Sequence, residues 1–271
     1  MMAKLSLSGR IGLALVIFWT LAALLGPMIA PYSPGAFIAR DVFLPFTSDH
    51  LLGSDYLGRD VLSRLLTGAR YTVGLALAAA LLASITGTIL ALFAAVSGRW
   101  IDEAMSRFMD ALISIPSKIF ALVLVAAFGS SVALLLMVAA VTYIPGAYRI
   151  ARSLAVNLNE MDYVQVARAR GEGRIYIACI EILPNMINPM LADFGLRFVY
   201  VVLLLSGLSF LGLGVQPPDS DLGSLVRENI SGLGEGAPAI LMPALAIATL
   251  TIGVNLLIDA LSGRARRAGE G

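Results

Sequence analysis

Six long apolar segments, separated by polar stretches, dominate the pattern along this chain. They cover residues 11–29, 71–98, about 104–128, 132–148, about 194–213 and about 239–261. A helix needs about 20 apolar residues to cross the roughly 30 Å of hydrocarbon in a bilayer. The pattern therefore predicts an all-α membrane protein with six transmembrane helices. Pro116 and Lys118 interrupt the third segment, and Pro145 lies inside the fourth, where we expect a kink.

The first apolar segment has two interpretations. It follows Lys4 and Arg10, as the apolar part of a secretory signal peptide would. It is longer than the roughly 7–15 residues of such a region, and no small-x-small cleavage site ends it. We therefore favour an uncleaved membrane helix.

The placement of Lys and Arg sets the expected orientation, because cytoplasmic loops carry an excess of both. With the N-terminus in the cytoplasm, twelve of them fall in inside segments and five in outside segments. The prediction is a cytoplasmic N-terminus at residues 1–10, a transmembrane domain at residues 11–261 and a cytoplasmic tail at residues 262–271. Within that domain, we expect outside loops at about residues 31–70 and 215–238, and a cytoplasmic loop at about residues 150–190.

Composition narrows the function classes. The chain is 58% hydrophobic and 14% charged, with a mean hydropathy of +0.86, so a lipid bilayer is its natural solvent. A net charge of +1 gives no reason to expect nucleic acid as a partner. Cys179 and His50 are the only residues of their types, and neither Lys4 nor Lys118 follows a glycine. We therefore expect no disulfide, metal site, catalytic residue or ATP-binding Walker loop in this chain.

The polar stretch at residues 161–185 predicts a helix–Gly–helix element on the cytoplasmic side. Asn159 and Asp162 are placed to cap a short helix, and Gly171 allows the chain to turn. A second helix is expected from about residue 174 to Pro184. Such an element can be a rigid knob that another protein grips, whereas the alternative is an ordinary amphipathic surface loop.

The first outside loop predicts another helix. An apolar stripe at helical spacing follows Asp60, and Asp60 and Arg64 are four residues apart in the order that favours a helical ion pair. The helix should start near Gly58 and continue into the second span. A solvated amphipathic extension explains the same stripe without any function.

A few polar residues fall within the predicted spans. Asp193 and Arg197 are four residues apart, and we interpret them as an ion pair that positions the start of the fifth span. Ser206, Ser209 and Asn255 are weak candidates for lining a translocation pathway. The alternative for these three is that they join neighbouring helices.

Three motifs, in this order, resemble permease subunits of the peptide/nickel/opine family of bacterial ABC importers. They are LGSDYLGRDVLSRLLTGAR at residues 52–70, the loop at residues 161–185 with its Gly171 and Leu-Pro-Asn ending, and LSFLGLGVQPP at residues 208–218. The shorter permease of dipeptide and oligopeptide importers is the nearest analogue. Gln165 and Val166 stand where that family usually has Glu and Ala, and residues 219–223 lack the family's Trp.

The resemblance implies a type I ABC importer permease fold in the bacterial cytoplasmic (inner) membrane. It implies a heterodimer with a second, homologous permease, two ABC ATPase subunits that bind ATP and Mg, and an extracytoplasmic substrate-binding protein. The ATPase-coupling residues would be Asp162, Gln165, Ala167, Arg168, Ala169, Gly171, Leu183 and Pro184. Docking of the binding protein, or an outer gate, would involve Asp55, Gly58, Arg59, Asp60, Arg64, Gln216, Pro217 and Pro218.

Di- or oligopeptides are the expected substrates, while nickel complexes, opines, glutathione and sugars remain open. Two other classes of function compete. A secondary transporter or channel driven by an ion gradient would need acidic residues near the midplane, and the spans are almost free of them. An intramembrane enzyme would need a catalytic pair, and His50 lies in a loop away from Ser206 and Ser209.

Overall fold

The computed structural model describes residues 6–38 and 41–269, with side chains described only as far as residue 262. The outer parts of the predicted N-terminus and tail, and two residues of the first outside loop, lie outside the described residues. The side chains that fall there include Lys4, Arg40, Arg264, Arg266 and Arg267.

The described chain is built from helices joined by turns and one long outer loop. In chain order, the helices are α1 (Leu7–Ile29), α2 (Val61–Ser97), α3 (Arg99–Ile113), α4 (Ser117–Phe128), α5 (Val132–Asn159), α6 (Asp162–Ala169), α7 (Arg174–Tyr176), α8 (Leu183–Phe210), α9 (Leu222–Glu228) and α10 (Pro238–Gly269). A π-helical segment, Ile177–Ile182, joins α7 to α8, and a 3₁₀ helix, Ile230–Glu235, follows α9.

Five of these helices, counting residues 174–210 as one, are long and apolar enough to cross a membrane. The third predicted span is not one continuous helix, because α3 and α4 are separate helices bent by 79° relative to each other. Pro116 explains the break: it has no N–H to donate, and it keeps the preceding residue out of helical geometry. If the bent pair is one span, the described residues contain six spans, as the sequence predicted.

Helix α2 confirms the prediction that a helix in the first outside loop continues into the second span. It runs unbroken for 37 residues. Its N-cap is Asp60, two residues after the predicted start, and the Asp60 carboxylate accepts a hydrogen bond from the Ser63 N–H at 2.8 Å. The cap fixes the point at which the outer loop ends.

The helices pack around two apolar clusters. The larger one gathers buried side chains of α1, α2, α4, α5, α8 and α10, and the smaller one lies where α2 and α5 meet α6 and the π-helical segment. Close packing of α2 on α5 depends on Gly87. A Cβ at this position would lie 2.5 Å from the Ala147 Cβ and 2.8 Å from the Tyr148 nitrogen. Small residues at such a crossing let two membrane helices approach closely.

Candidate functional site

Helix α6 carries most of the predicted ATPase-coupling residues, and it is anchored by one face. Val164 and Ala167 are fully buried, and Val164 packs into the smaller apolar cluster with Ile177 and Ile182. The other predicted residues of this helix are exposed, namely Asp162, Gln165, Arg168 and Ala169. The helix therefore presents a polar face outward while its apolar face holds it to the bundle.

Gly171 ends α6 in the way the sequence predicted. Its φ angle is +86°, a left-handed conformation that favours glycine. The Gly171 N–H donates to the Arg168 carbonyl at 2.9 Å, and the Glu172 N–H donates to the Ala167 carbonyl at 3.1 Å. These two bonds form a Schellman motif, which satisfies the last carbonyls of the helix and sets the direction of the chain beyond it.

Asn159 does not cap α6 as predicted, because the N-cap is Met161 and no side chain bonds to the free N–H groups there. Asn159 braces the loop instead. Its Nδ2 donates to the Ala95 carbonyl of α2 at 3.0 Å, and its Oδ1 accepts from Arg168 Nη2 at 2.7 Å. Gln165 Nε2 donates to the Asn159 carbonyl at 3.4 Å. Two of the predicted coupling residues, Gln165 and Arg168, are thus linked to α2 through one residue, Asn159.

Pro184 does not stop a helix, so that prediction is wrong. Residues 174–210 form one continuous helical rod, and Pro184 lies at the start of α8. In the π-helical segment just before it, the Leu183 N–H donates to the Ala178 carbonyl five residues back. The wider turn removes the need for an N–H at residue 184, so the proline is accommodated.

Apolar side chains remain exposed on this otherwise well-anchored loop. Ile175 is 81% exposed and Val166 is 57% exposed, and Met161 and Ile180 are also exposed. Exposed apolar groups close together on a fixed element are typical of a surface that another protein covers.

On the opposite side of the molecule, four charged side chains form a buried cluster. Asp55 Oδ2 accepts from Arg59 Nε and from Arg64 Nη1, both at 2.7 Å. Glu228 Oε2 accepts from Arg59 Nη2 and Arg64 Nη1, both at 2.8 Å. The cluster joins the outer loop and α2 to the end of α9.

The cluster is largely removed from solvent. The side chains of Asp55 and Arg64 are 1% and 4% exposed, and those of Arg59 and Glu228 are 12% and 17% exposed. Burial alone would lower the pKa of Arg59, but Asp55 and Glu228 outweigh it and raise that pKa above the ordinary arginine value. Arg59 therefore keeps its proton at physiological pH.

The predicted outer residues divide into two groups. Asp55, Asp60 and Arg64 are buried, while Gln216, Pro217 and Pro218 are exposed on a different loop. Gly58 closes a turn by donating to the Asp55 carbonyl at 3.0 Å, with a φ angle of +73°. The buried members hold the outer loop in place, whereas the exposed members are free to contact another molecule.

Glu228 is the member of the cluster that sequence reasoning missed. It is 164 residues from Arg64 along the chain, and no periodicity links residues at such a distance. A weak signal existed, because Glu228 is an acid next to an apolar helical stretch in the other predicted outside loop.

Asp221 is a second missed residue, and it holds one of the predicted pathway serines, Ser209. Its carboxylate accepts from Ser209 Oγ at 2.7 Å, and it caps α9 through the Gly223 and Ser224 N–H groups. Burial raises the pKa of the Asp221 carboxyl, against these hydrogen bonds, which lower it. Ser209 therefore ties α8 to the loop that precedes α9.

The weak pathway candidates do not line one common space. Ser206 and Ser209 border a small cavity of about 10 Å³, which has room for no more than one water molecule. Ser206 Oγ is buried without a hydrogen-bond partner among the described residues. Asn255 lies on α10 and does not border that cavity. This arrangement favours the interpretation that the serines join helices.

Asp193 and Arg197 do form the predicted ion pair, with Arg197 Nη2 donating to Asp193 Oδ2 at 2.6 Å. The pair lies well inside α8 and is buried, so it does not mark the start of a helix. Arg197 Nη1 also donates to the Tyr143 carbonyl of α5 at 2.9 Å. The pair therefore joins α8 to α5. In the part of the chain that is described, no group of three or more metal-ligating side chains occurs.

Comparison with known proteins places these features in a family. The family model described as binding-protein-dependent transport system inner membrane component matches residues 87–267. A Brucella suis protein named as a peptide transport system permease is 36% identical over 94% of this chain and 86% of its own length. The dipeptide transport system permease protein of Haemophilus influenzae is 31% identical, covering 93% of this chain and 87% of its own length. The glutathione transport system permease protein of Pectobacterium atrosepticum is 33% identical, covering 79% and 71%.

Proposed function

The chain belongs to the family of binding-protein-dependent transport system inner membrane components, and on that premise we propose how it assembles and couples to ATP. It is a multi-pass permease subunit of an ABC importer in the inner membrane. The alternative of an ion-gradient-driven secondary transporter has no support from the family match or the relatives.

Short peptides are the proposed substrates. The supporting observation is that the relatives are named for peptide, dipeptide and glutathione transport, and glutathione is itself a tripeptide. In an importer that depends on a binding protein, most of the selection between peptides rests with that protein.

The proposed assembly contains this chain, a second homologous permease, two ATPase subunits and an extracytoplasmic binding protein. We propose six spans with both termini in the cytoplasm, counting α3 and α4 as one broken span. The ATPase subunits would bind ATP with Mg and hydrolyse the ATP, and this chain would contact those subunits but not replace them.

The observation that carries the coupling proposal is the exposed apolar surface on the braced loop at residues 161–185. Val166 and Ile175 project from an element that the Schellman motif and Asn159 hold against α2 and α5. An ATPase subunit that covers these side chains could push on α2, α5 and α8 together. Movement of the ATPases on binding ATP would then change the packing of the spans.

On the outer side, Gln216, Pro217 and Pro218 are the proposed contacts for the binding protein or the outer gate. The buried Asp55, Asp60 and Arg64 would act indirectly, because they hold the outer loop rigid against α9. Gly58 and Arg59 would shape the turn between Asp55 and Asp60.

The test is to assemble this chain with its partner permease, candidate ATPases and binding protein in nanodiscs. We compare wild type with the double variant Val166→Glu, Ile175→Glu. Two buried carboxylates in the contact would be expensive to desolvate, so we expect loss of ATPase assembly and of hydrolysis stimulated by the binding protein.

The control is Arg107→Glu, which reverses a side chain that is 78% exposed on α3, away from the loop. It should assemble and hydrolyse ATP as wild type does. The coupling proposal is wrong if the double variant inserts into the membrane and retains both assembly and stimulated hydrolysis.

A further inference from the structure

A cavity of about 400 Å³ lies in the angle between α3 and α4, against the middle of α5. Its volume is within the range of about 300–1,000 Å³ that is usual for small-molecule sites. The lining is mostly apolar and comes from all three helices and the break between them. Among the lining residues are Leu112, Pro116, Phe120, Thr142, Gly146 and Arg149.

With α3 and α4 counted as one span, the break that forms this cavity falls within the depth of the membrane. Helix α4 has 12 residues, so it is only roughly 18 Å long. That length is shorter than the roughly 30 Å of hydrocarbon. If Phe128 is near the outer surface, Pro116 is still inside the hydrocarbon. The facing residues of α5 agree, because Val141 and Thr142 come about ten residues after that helix begins at Val132.

One charged side chain, that of Arg149, lines the same cavity. Arg149 Nη2 donates to Asp110 Oδ1 at 2.7 Å, and the side chains of these residues are 62% and 51% exposed. Lys118 is exposed beside Ser117, which lines the cavity, and among the described residues no carboxylate lies within ion-pairing distance of it. An exposed pair of this kind is weak and can exchange partners.

Lipid cannot be what covers this surface. Irregular backbone within the hydrocarbon is tolerated only where it is buried in protein or lines a water-filled space, and exposed charges there are costly. Residues 114–117 are exposed and contain the break between helices. The cavity therefore faces the second permease or water, and in a two-permease assembly both lie at the pathway between the subunits.

We propose that this cavity is the substrate-contacting section of the pathway on this chain, and that it takes one end of a zwitterionic short peptide. The apolar lining receives a peptide side chain. Arg149 exchanges Asp110 for the peptide carboxylate. The proposal rests on the proposed function of the chain, since it assumes a peptide importer.

The first experiment tests whether the cavity is wet. In the assembled importer with Cys179→Ser, we compare Thr142→Cys with Ile89→Cys, which is exposed on α2 at a site outside the cavity. The probe is a charged, membrane-impermeant thiosulfonate, and the readout is the mass of this chain. We expect Thr142→Cys to be labelled and Ile89→Cys to stay unlabelled. Equal protection of both cysteines would overturn the proposal.

The second experiment tests the chemistry of recognition. Proteoliposomes with the full importer take up trialanine or trialanine amide, and ATP hydrolysis is measured in the same vesicles. We expect Arg149→Gln to lower trialanine uptake per ATP by about tenfold, as loss of one charge-assisted hydrogen bond would. It should lower uptake of the amide less, because the amide has no carboxylate to pair with Arg149, while stimulated hydrolysis continues.

Glu103→Gln is the matched control, because Glu103 forms an exposed ion pair on the same helix, with Arg107 at 3.7 Å, outside the cavity. It should transport as wild type does. If wild type takes up trialanine and Arg149→Gln matches it for both peptides, the cavity proposal fails while the function stands. If wild type shows neither uptake nor stimulated hydrolysis, the proposed function fails as well.

Discussion

Gly171 is the residue on which the direction of the coupling loop depends. Its φ angle is +86°, and a residue with a Cβ adopts this conformation at a conformational free-energy cost of about 1–2 kcal/mol. Gly171→Ala should therefore weaken the Schellman motif and reduce stimulated ATP hydrolysis in the assembled importer by several-fold. No heavy atom lies within 4 Å of the added Cβ, so the effect would come from the backbone alone.

Gly173 provides the matched control for that change. It also has open space around a built Cβ, but its φ angle is −77°, which any residue adopts. Gly173→Ala should leave hydrolysis unchanged. Equal loss in both variants would mean that the loop tolerates no added methyl group, and the argument from backbone conformation would be wrong.

Asp55 is the residue on which the outer cluster depends most. It is nearly fully buried and accepts from two arginines, so Asp55→Asn leaves two buried guanidinium groups with only Glu228. Removing one partner from a buried ion pair costs about 3–5 kcal/mol. We expect a clear fall in the thermal unfolding midpoint in detergent. Asp49→Asn, in the exposed part of the same loop, should leave the midpoint unchanged.

At the scale of elements, hydropathy located the spans but not their full lengths. Helices α5 and α8 were expected because their apolar stretches are long, yet both extend well beyond those stretches toward the loop at residues 161–185. Those extensions are stabilised by packing in the smaller apolar cluster, which joins segments far apart in the chain. The π-helical segment before Pro184 was not predictable either, because a proline alone indicates a helix end more often than a change of register.

The packing of α2 on α5 gives a prediction at this scale. Gly87→Leu would place a side chain where the Ala147 Cβ and the backbone of Tyr148 already lie, so the helices would have to separate. Overpacking of this kind costs about 1–3 kcal/mol. A Cβ built at Gly74 on the same helix meets nothing within 4 Å and the residue is exposed, so Gly74→Leu serves as the control. Thermal unfolding should shift for the first variant only, and equal midpoints would contradict the close contact.

At the scale of the whole molecule, the family could be reached from three sequence motifs, whereas the sites needed coordinates. The residues bordering the broken-helix cavity include Leu112, Phe120 and Thr142, which carry no motif and no unusual spacing. The serines that the sequence offered as pathway residues border a space of about 10 Å³. A polar residue in a span indicates a contact of some kind, but only the fold shows whether that contact is a neighbouring helix or a solvent-filled space.

The bent pair also decides the topology of the whole chain. If α3 and α4 together cross the bilayer, six spans put both termini on one side; if they enter and return, five spans put the termini on opposite sides. The excess of Lys and Arg on the predicted inside segments favours six. We expect green fluorescent protein fused after residue 271 to fluoresce, and alkaline phosphatase inserted after Asp49 to be active. Phosphatase activity at the C-terminus, with a silent fluorescent fusion there, would make the pair a re-entrant loop and remove the membrane depth on which the cavity proposal depends.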